Sequence, residues 1–334
     1  MNILVFTKNW LGDVIFETPA LRAIKENFPD SHLIAITPRP CVPILEANPY
    51  VDEIIPFNDR KEEKGFAAKW RFIRKLRERK IDKAYLFHRA QKHAWIACLA
   101  GAKERIGYGT KWRSYLLTRA ISEQEDLVHD VQYFLDLVRS DGLKASGDYS
   151  YEFYYLPEDE RKAQTLLEKH GLTAGKLVAI NPGANWAPKR WPIEYFAQLA
   201  DRLIERYQVK VVFLGDRCDA TIAERIMQKM KQKEGINLAG ETSLLESAEL
   251  IRHSLLTISN DSAIMHLASY FDKPVVALFG PTDPQKYGPW SVQSRFVKKV
   301  SDCPACKNSK ISEHTCMQEI TVEDVWETIK TLND

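Results

Sequence analysis

The sequence predicts an α/β protein built from two doubly wound parallel sheets, and three observations carry that prediction. Short apolar runs alternate with longer stretches of helical periodicity, as parallel strands joined by crossover helices require. The alternation restarts from Leu177 on the same plan of strand, glycine-containing loop and helix. The length of 334 residues suits two domains of about 150 residues each.

In the first half, Ile3 to Phe6, Leu33 to Ile36, Ile54 to Phe57 and Ala84 to Phe87 read as buried strands. Between the first two, Thr18-Pro19 reads as an N-cap followed by proline at the first helical position, with Leu21, Ile24 and Phe28 on one face. The join is placed at residue 157, where Tyr155-Leu156-Pro157-Glu158-Asp159 forms a proline and acidic turn before an amphipathic helix around Ala163 to Lys169. The expected domains are therefore 1–157 and 158–334. In the second, LVAI from Leu177, VVFL at 211–214, LLTIS at 255–259 and VVALF at 275–279 are strand candidates. Trp191-Pro192 opens a helix whose Ile193, Phe196, Leu199, Ala200, Leu203 and Ile204 recur at helical spacing.

Composition narrows the function. Apolar residues at 45% and charged residues at 28% exclude a disordered chain. Forty-seven Lys and Arg against 45 Asp and Glu leave too little net charge to coat nucleic acid, so no nucleic-acid partner is expected. No apolar run approaches the roughly 20 residues that span a bilayer, and MNILVFTKNWLGD lacks the features of a secretory leader. The chain is expected in the cytoplasm. Six cysteines are too few for a disulfide scaffold, and Cys41, Cys98 and Cys218 stand alone as expected reduced packing residues.

Doubly wound domains bind ligands where strand C-termini face a crevice, so the loops after strands are the places for chemistry. The first is Lys8-Asn9-Trp10-Leu11-Gly12-Asp13. Gly12 permits a tight turn and Asp13 either projects into the crevice or caps the following helix. There is no GxGxxG fingerprint, which argues against a nicotinamide enzyme. The second is Asn181 to Pro192, with Lys189 placed before a helix start, where cation and backbone N–H groups hold an anionic leaving group; alternatively both Lys189 and Arg190 face water. The third is Ser259-Asn260-Asp261-Ser262-Ala263-Ile264-Met265-His266. There Ser262 and nearby N–H groups suit phosphate, Asp261 suits sugar hydroxyls, and His266 alone reads as a partly buried, satisfied side chain. Gly280 to Pro284 and Gly215 to Asp219 supply two more loops.

Taken in order, these segments resemble glycosyltransferase family 9, the heptosyltransferases of lipopolysaccharide core assembly. The resemblance rests on LGDVIFETPAL at 11–21, AGAKERIGY at 100–108, NPGANWAPKRWP at 181–192, GDRCD at 215–219, NLAGETSLLE at 237–246, NDSAIMHLA at 260–268 and FGPTDP at 279–284. The wording is nearest the heptosyltransferase II type.

That resemblance implies a GT-B fold, two Rossmann-like domains facing a central cleft, the first binding acceptor and the second a nucleotide sugar, with ADP-heptose as the expected donor. It implies an inverting transfer with Asp13 as general base, Lys189 at the donor phosphate and Gly12 with Asp13 at the acceptor. Gly183, Lys189, Asp219, Asp261, Ser262, Ala263, His266 and Thr282 become the donor set, and no metal or other cofactor is needed. The family commonly has glycine at 263; helical spacing of Ile264, Leu267 and Ala268 behind a Ser262 cap predicts ordinary helical backbone for the alanine.

The implied acceptor is a lipid-anchored oligosaccharide, the lipid A core, met at the inner face of the inner membrane. Lys61 to Lys83 holds ten Lys or Arg against four acids, interleaved with Phe66, Trp70, Phe72, Ile73 and Leu76. It reads as a basic amphipathic helix toward that anionic surface or toward the acidic sugars of the acceptor, or as a solvated face over ordinary core. The tail Cys303-Pro304-Ala305-Cys306 with His314 and Cys316 has zinc-ligand residue types at a compressed spacing; the expectation is no metal, and a structural one if bound. Two rival classes are a GT-B nucleotide-sugar 2-epimerase and a non-catalytic sugar-nucleotide binder, and a family 9 transferase with another donor sugar is the nearest alternative.

Overall fold

The computed structural model describes residues 1–57, 65–122, 128–145, 151–300 and 315–332. The chain divides into two units, Met1–Tyr154 and Tyr155–Asp334.

The first unit carries strands β1 (Asn2–Phe6), β2 (His32–Thr37), β3 (Glu53–Pro56), β4 (Lys83–Leu86), β5 (Glu104–Tyr108) and β6 (Arg119–Ile121). They pair in parallel in the order β3-β2-β1-β4-β5-β6. Its helices are α1 (Leu11–Asn27), α2 (Val42–Glu46), α3 (Phe66–Glu78), α4 (Gln91–Leu99) and α5 (Asp130–Ser140). The inner strands are near-continuous apolar runs because helices cover both faces of a parallel sheet; Ile3 to Phe6 is fully buried.

The second unit repeats the plan with β7 (Leu177–Asn181), β8 (Lys210–Phe213), β9 (Gly235–Asn237), β10 (Leu256–Asn260), β11 (Val275–Leu278) and β12 (Ser294–Val297), in the parallel order β12-β11-β10-β7-β8-β9. Its helices include α6 (Pro157–Lys169), α7 (Ile193–Tyr207), α8 (Ala220–Lys229), α9 (Leu244–Arg252), α10 (Ala263–Tyr270) and α11 (Pro284–Tyr287). Counted within its own unit, each sheet has the order 3-2-1-4-5-6, and the direction of winding switches between the first strand and the fourth. The expected stripe on α7 is buried from Phe196 to Ile204.

Two local expectations are corrected. Thr18-Pro19 does not start a helix: α1 begins at Leu11 and carries Pro19 in its interior. Proline has no N–H for the Ile15 carbonyl four residues back, and the Thr18 hydroxyl donates to that carbonyl instead, at 2.8 Å. Gly12 is the second residue of α1 and is not among the glycines at positive φ, so it makes no tight turn. The strand leads into the helix through Trp10 in extended backbone, which any residue can adopt. Of the cysteines expected to pack, Cys41 is buried and Cys98 half-buried, but Cys218 is exposed on the loop before α8.

Candidate active site

The site in the second unit grows from the ends of β7 and β10, the two strands that flank the switch in winding, where a crevice opens beyond the sheet. Both strands end in asparagine. Asn181 donates through Nδ2 to the Leu214 carbonyl at 2.8 Å and accepts from the Ser262 hydroxyl at 2.7 Å. Asn260 donates to the Pro182 carbonyl at 2.8 Å and accepts from the Trp191 N–H at 3.2 Å. Each amide ties its own strand end to the loop leaving its neighbour. Unpaired, such buried polar groups would each cost about 1–3 kcal/mol.

Trp191 anchors the long loop after β7: its ring is buried and its Nε1 donates to the Ile320 carbonyl at 2.8 Å. Arg190 donates from Nε and Nη2 to the Ala184 carbonyl at 3.0 and 2.7 Å, so it holds the loop together rather than facing water. Lys189, the last residue of the 3-10 turn Ala187–Lys189, is thereby aimed at Asp261, with its Nζ 2.7 Å from Oδ2. The Thr282 hydroxyl donates to the same oxygen at 2.5 Å. Lys189 and Thr282, from two other loops, thus converge on the Asp261 carboxylate.

Beside them, Ser262 is the N-cap of α10 and accepts from the Ile264 N–H at 3.3 Å. Ala263 is the first helical residue, without positive φ, and His266 is buried on the same helix. The exposed end of such a helix carries partial positive charge and favours an anion. Gly183 and Asp219 form a second pair. A Cβ on Gly183 would lie 2.1 Å from the Asp219 carboxyl, so only glycine admits that approach. Asp219 is buried and accepts from the Asp216 N–H at 3.1 Å. Burial first, and the charge of Asp216 second, push its carboxyl above the usual range.

In the first unit the corresponding switch lies between β1 and β4. Asn9 of the loop after β1 and His88 of the loop after β4 meet there, with Nδ2 and Nε2 2.7 Å apart. Asp13 sits half-buried in the first turn of α1, as the capping alternative also required, yet the N-cap residue Trp10 makes no side-chain cap bond. One turn along lies Glu17, which sequence reasoning missed. It is fully buried; Oε1 accepts from the Lys8 N–H at 2.8 Å, and Oε2 has no hydrogen-bond partner among the described residues. Burial drives its carboxyl well above the usual range, the Lys8 N–H opposes this, and the charge of Asp13 adds to it. Glu17 is therefore a carboxyl beside Asp13 that holds its proton more tightly than usual.

Because the folded Glu17 keeps its proton above the unfolded value, stability falls as pH rises from about 4.5 toward the folded value, by up to ~1.4 kcal/mol per pH unit for one proton. Glu17→Gln mimics the neutral acid. Its melting temperature should exceed the wild type's at pH 7, with the gain vanishing below pH ~4.5; a pH-independent difference in thermal melts would show that Glu17 is ionised in the fold.

The description of glycosyltransferase family 9 (heptosyltransferase) matches residues 69–316. The chain belongs to glycosyltransferase family 9. Among relatives of this family 9 chain, the lipopolysaccharide heptosyltransferase 2 of Salmonella typhimurium is 28% identical, covering 99% of the chain and 98% of the relative. The lipooligosaccharide heptosyltransferase 2 of Haemophilus influenzae is 30% identical, covering 90% and 89%. Among solved structures, the E. coli ADP-heptose LPS heptosyltransferase II superposes with a TM-score of 0.82 at 25% identity, covering 99% and 98%. The two-sheet architecture is the GT-B fold.

Two features of the transferase remain. Alanine at 263 stands in ordinary helical backbone, so Ala263→Gly should lower stability by about 0.5–1 kcal/mol with no gain in nucleotide-sugar affinity; higher stability with tighter binding in melts and titrations would overturn this. Of the tail residues with zinc-ligand side chains, Cys303, Cys306 and His314 lie outside the described residues, while Cys316 is buried against Gly280. Among the described residues no three His, Cys, Asp or Glu side chains are grouped to hold a metal ion.

Proposed function

We propose that this glycosyltransferase moves a heptose from ADP-heptose to the inner core of lipopolysaccharide, with inversion at the anomeric carbon. The observation that carries the reading is the convergence of Lys189 and Thr282 on Asp261 beside the N-terminus of α10. A lone Asp261 carboxylate would repel a diphosphate. Paired with Lys189, it leaves a locally neutral pocket edge in which the cation serves phosphate and the carboxylate and Thr282 serve sugar hydroxyls. Ser262, Ala263 and the first N–H groups of α10 face the diphosphate, His266 supports that turn from within, and Gly183 with Asp219 takes the adenosine ribose.

Residues 158–334 bind the donor and residues 1–157 the acceptor. Gly12 leaves room for the acceptor sugar, and Asp13 removes the proton of its hydroxyl as that oxygen bonds to the anomeric carbon. The bond from that carbon to the diphosphate breaks from the opposite face, and the electron pair leaves with ADP. Lys189 and the helix N-terminus stabilise the charge that grows there. Neither step calls on a metal. The acceptor is lipid-anchored, so the enzyme works as a peripheral protein at the cytoplasmic face of the inner membrane; no helix among the described residues is long and apolar enough to cross one.

Incubating the protein with ADP-heptose and a heptose-deficient core acceptor, and following ADP and product by mass spectrometry, tests the reading. Stoichiometric ADP and heptosylated acceptor are expected. Epimerised sugar without acceptor, or binding without turnover, would replace it, and transfer only from another nucleotide sugar would change the donor.

A further inference from the structure

We propose that one face of the first unit, formed by α3, α4 and the 3-10 segment Lys111–Leu116, is the surface on which the enzyme lies against an anionic lipid bilayer. The inference rests on the reading of a lipid-anchored acceptor and adds where the membrane sits. It starts from aromatic rings in the wrong place for a core. Phe66 is 85% exposed, Trp112 73% and Tyr115 83%, with Trp70 and Trp95 about half exposed. Exposed apolar groups of this size, gathered rather than scattered, mark an interaction surface.

These rings belong to neighbouring elements. Phe72, Ile73 and Leu76 of α3, Ala94 and Ala97 of α4 and Leu117 after the 3-10 segment share one buried cluster with Leu4, Phe6, Ile34 and Leu86. Those strand residues alternate along β1, β2 and β4, so the three elements cover the same face of the sheet and turn their other sides outward together. Within them the rings pair: Phe66 and Trp70 stack with centroids 6.4 Å apart and planes 8° from parallel, and Trp112 and Tyr115 lie 6.1 Å apart.

Charge identifies the partner. Along α3, Phe66, Trp70, Arg74 and Arg77 recur at i, i+4, i+8 and i+11 and form one stripe. The helix also exposes Lys69, Arg71 and Lys75, against Glu78 as its one acid. Within the described residues none of these five cations is ion-paired. A second copy meeting this stripe across a two-fold axis would set like charges face to face, whereas phosphate headgroups complement the cations and the interfacial zone takes Trp, Tyr and Phe rings.

Sedimentation with vesicles tests the assignment. Wild-type enzyme should bind phosphatidylglycerol–phosphatidylethanolamine vesicles, release with rising salt, and bind phosphatidylcholine vesicles poorly. Phe66→Ser/Trp70→Ser, Trp112→Ser/Tyr115→Ser and Arg74→Glu/Arg77→Glu should each weaken binding roughly tenfold or more. Val292→Ser, which removes an exposed apolar residue of the other unit, should not. All variants should keep wild-type kcat/KM on a deacylated, water-soluble acceptor. Equal binding to both vesicle types, or undiminished binding by the variants, would overturn the proposal. So would self-association of the wild type that the variants abolish, or a matching loss on the deacylated acceptor, which would assign the rings to the saccharide. Absence of transfer to any acceptor would instead remove the heptosyltransferase reading and leave the vesicle result standing.

Discussion

Asp13→Ala is expected to lower turnover by a factor on the order of 10²–10⁴ while ADP affinity stays within about twofold of wild type. A general base acts on the acceptor hydroxyl and contributes in the transition state, so its loss falls on kcat and kcat/KM together. The proposed donor groups are elsewhere in the chain, around Asp261 in the other unit. The fold itself should not suffer. The charge of Asp13 is one of the influences that raise the buried Glu17 carboxyl, so removing it draws that carboxyl back toward its usual range. Steady-state kinetics, calorimetry with ADP and a thermal melt on one preparation check the three statements. Near wild-type turnover would take the base assignment away from Asp13, and an unfolded variant would show that the carboxylate is structural. Asp13→Asn, which keeps the shape and removes the basicity, should be as slow as the alanine variant.

Lys189→Ala should weaken ADP and donor binding as well as turnover, because the phosphate charge is present in ground and transition states alike. A hydrogen bond to a charged group contributes about 1.5–3 kcal/mol, or roughly 10- to 150-fold in affinity. The observed loss should lie at or above the top of that range. Removing the ammonium deletes an attraction and also exposes the Asp261 carboxylate, with which it pairs at 2.7 Å, to the incoming diphosphate. The double variant Lys189→Ala/Asp261→Asn separates the two effects. It should recover part of the ADP affinity, since the repulsion is gone, and none of the turnover, since the cation and the sugar ligand are both missing. If ADP affinity is unchanged in the single variant, Lys189 does not touch phosphate. If the second substitution recovers nothing, the ion pair plays no part in admitting the donor.

The two-sheet plan was legible because periodicity is local. A strand buried on both faces reads as a continuous apolar run and a helix over it repeats its apolar residues at helical spacing, so β1, β2, β7, β10 and α7 each announced themselves from a few neighbouring residues. The α1 start was misread for the same local reason. Thr18-Pro19 has the grammar of a helix beginning, and only the fold shows the Thr18 hydroxyl donating to the Ile15 carbonyl that the interior proline leaves without its usual N–H. Short edge elements such as β6, β9 and β12, three or four residues each, carry too few side chains to show a period.

For the site, residue types and order determined which loops to examine, and the spacing of Ser262 before an apolar helix determined that Ala263 would be helical. Tertiary structure alone decided the partnerships. Lys189 and Asp261 are 72 positions apart in the chain and 2.7 Å apart in space. The two asparagines that lace β7 to β10 look in sequence like polar ends of strands. Glu17 sits in a stretch whose acid could equally face water, and its burial depends on Lys8 and on what packs over α1. Pairing, burial and the resulting shift in proton affinity are set by groups distant along the chain, and a short stretch of sequence does not contain them.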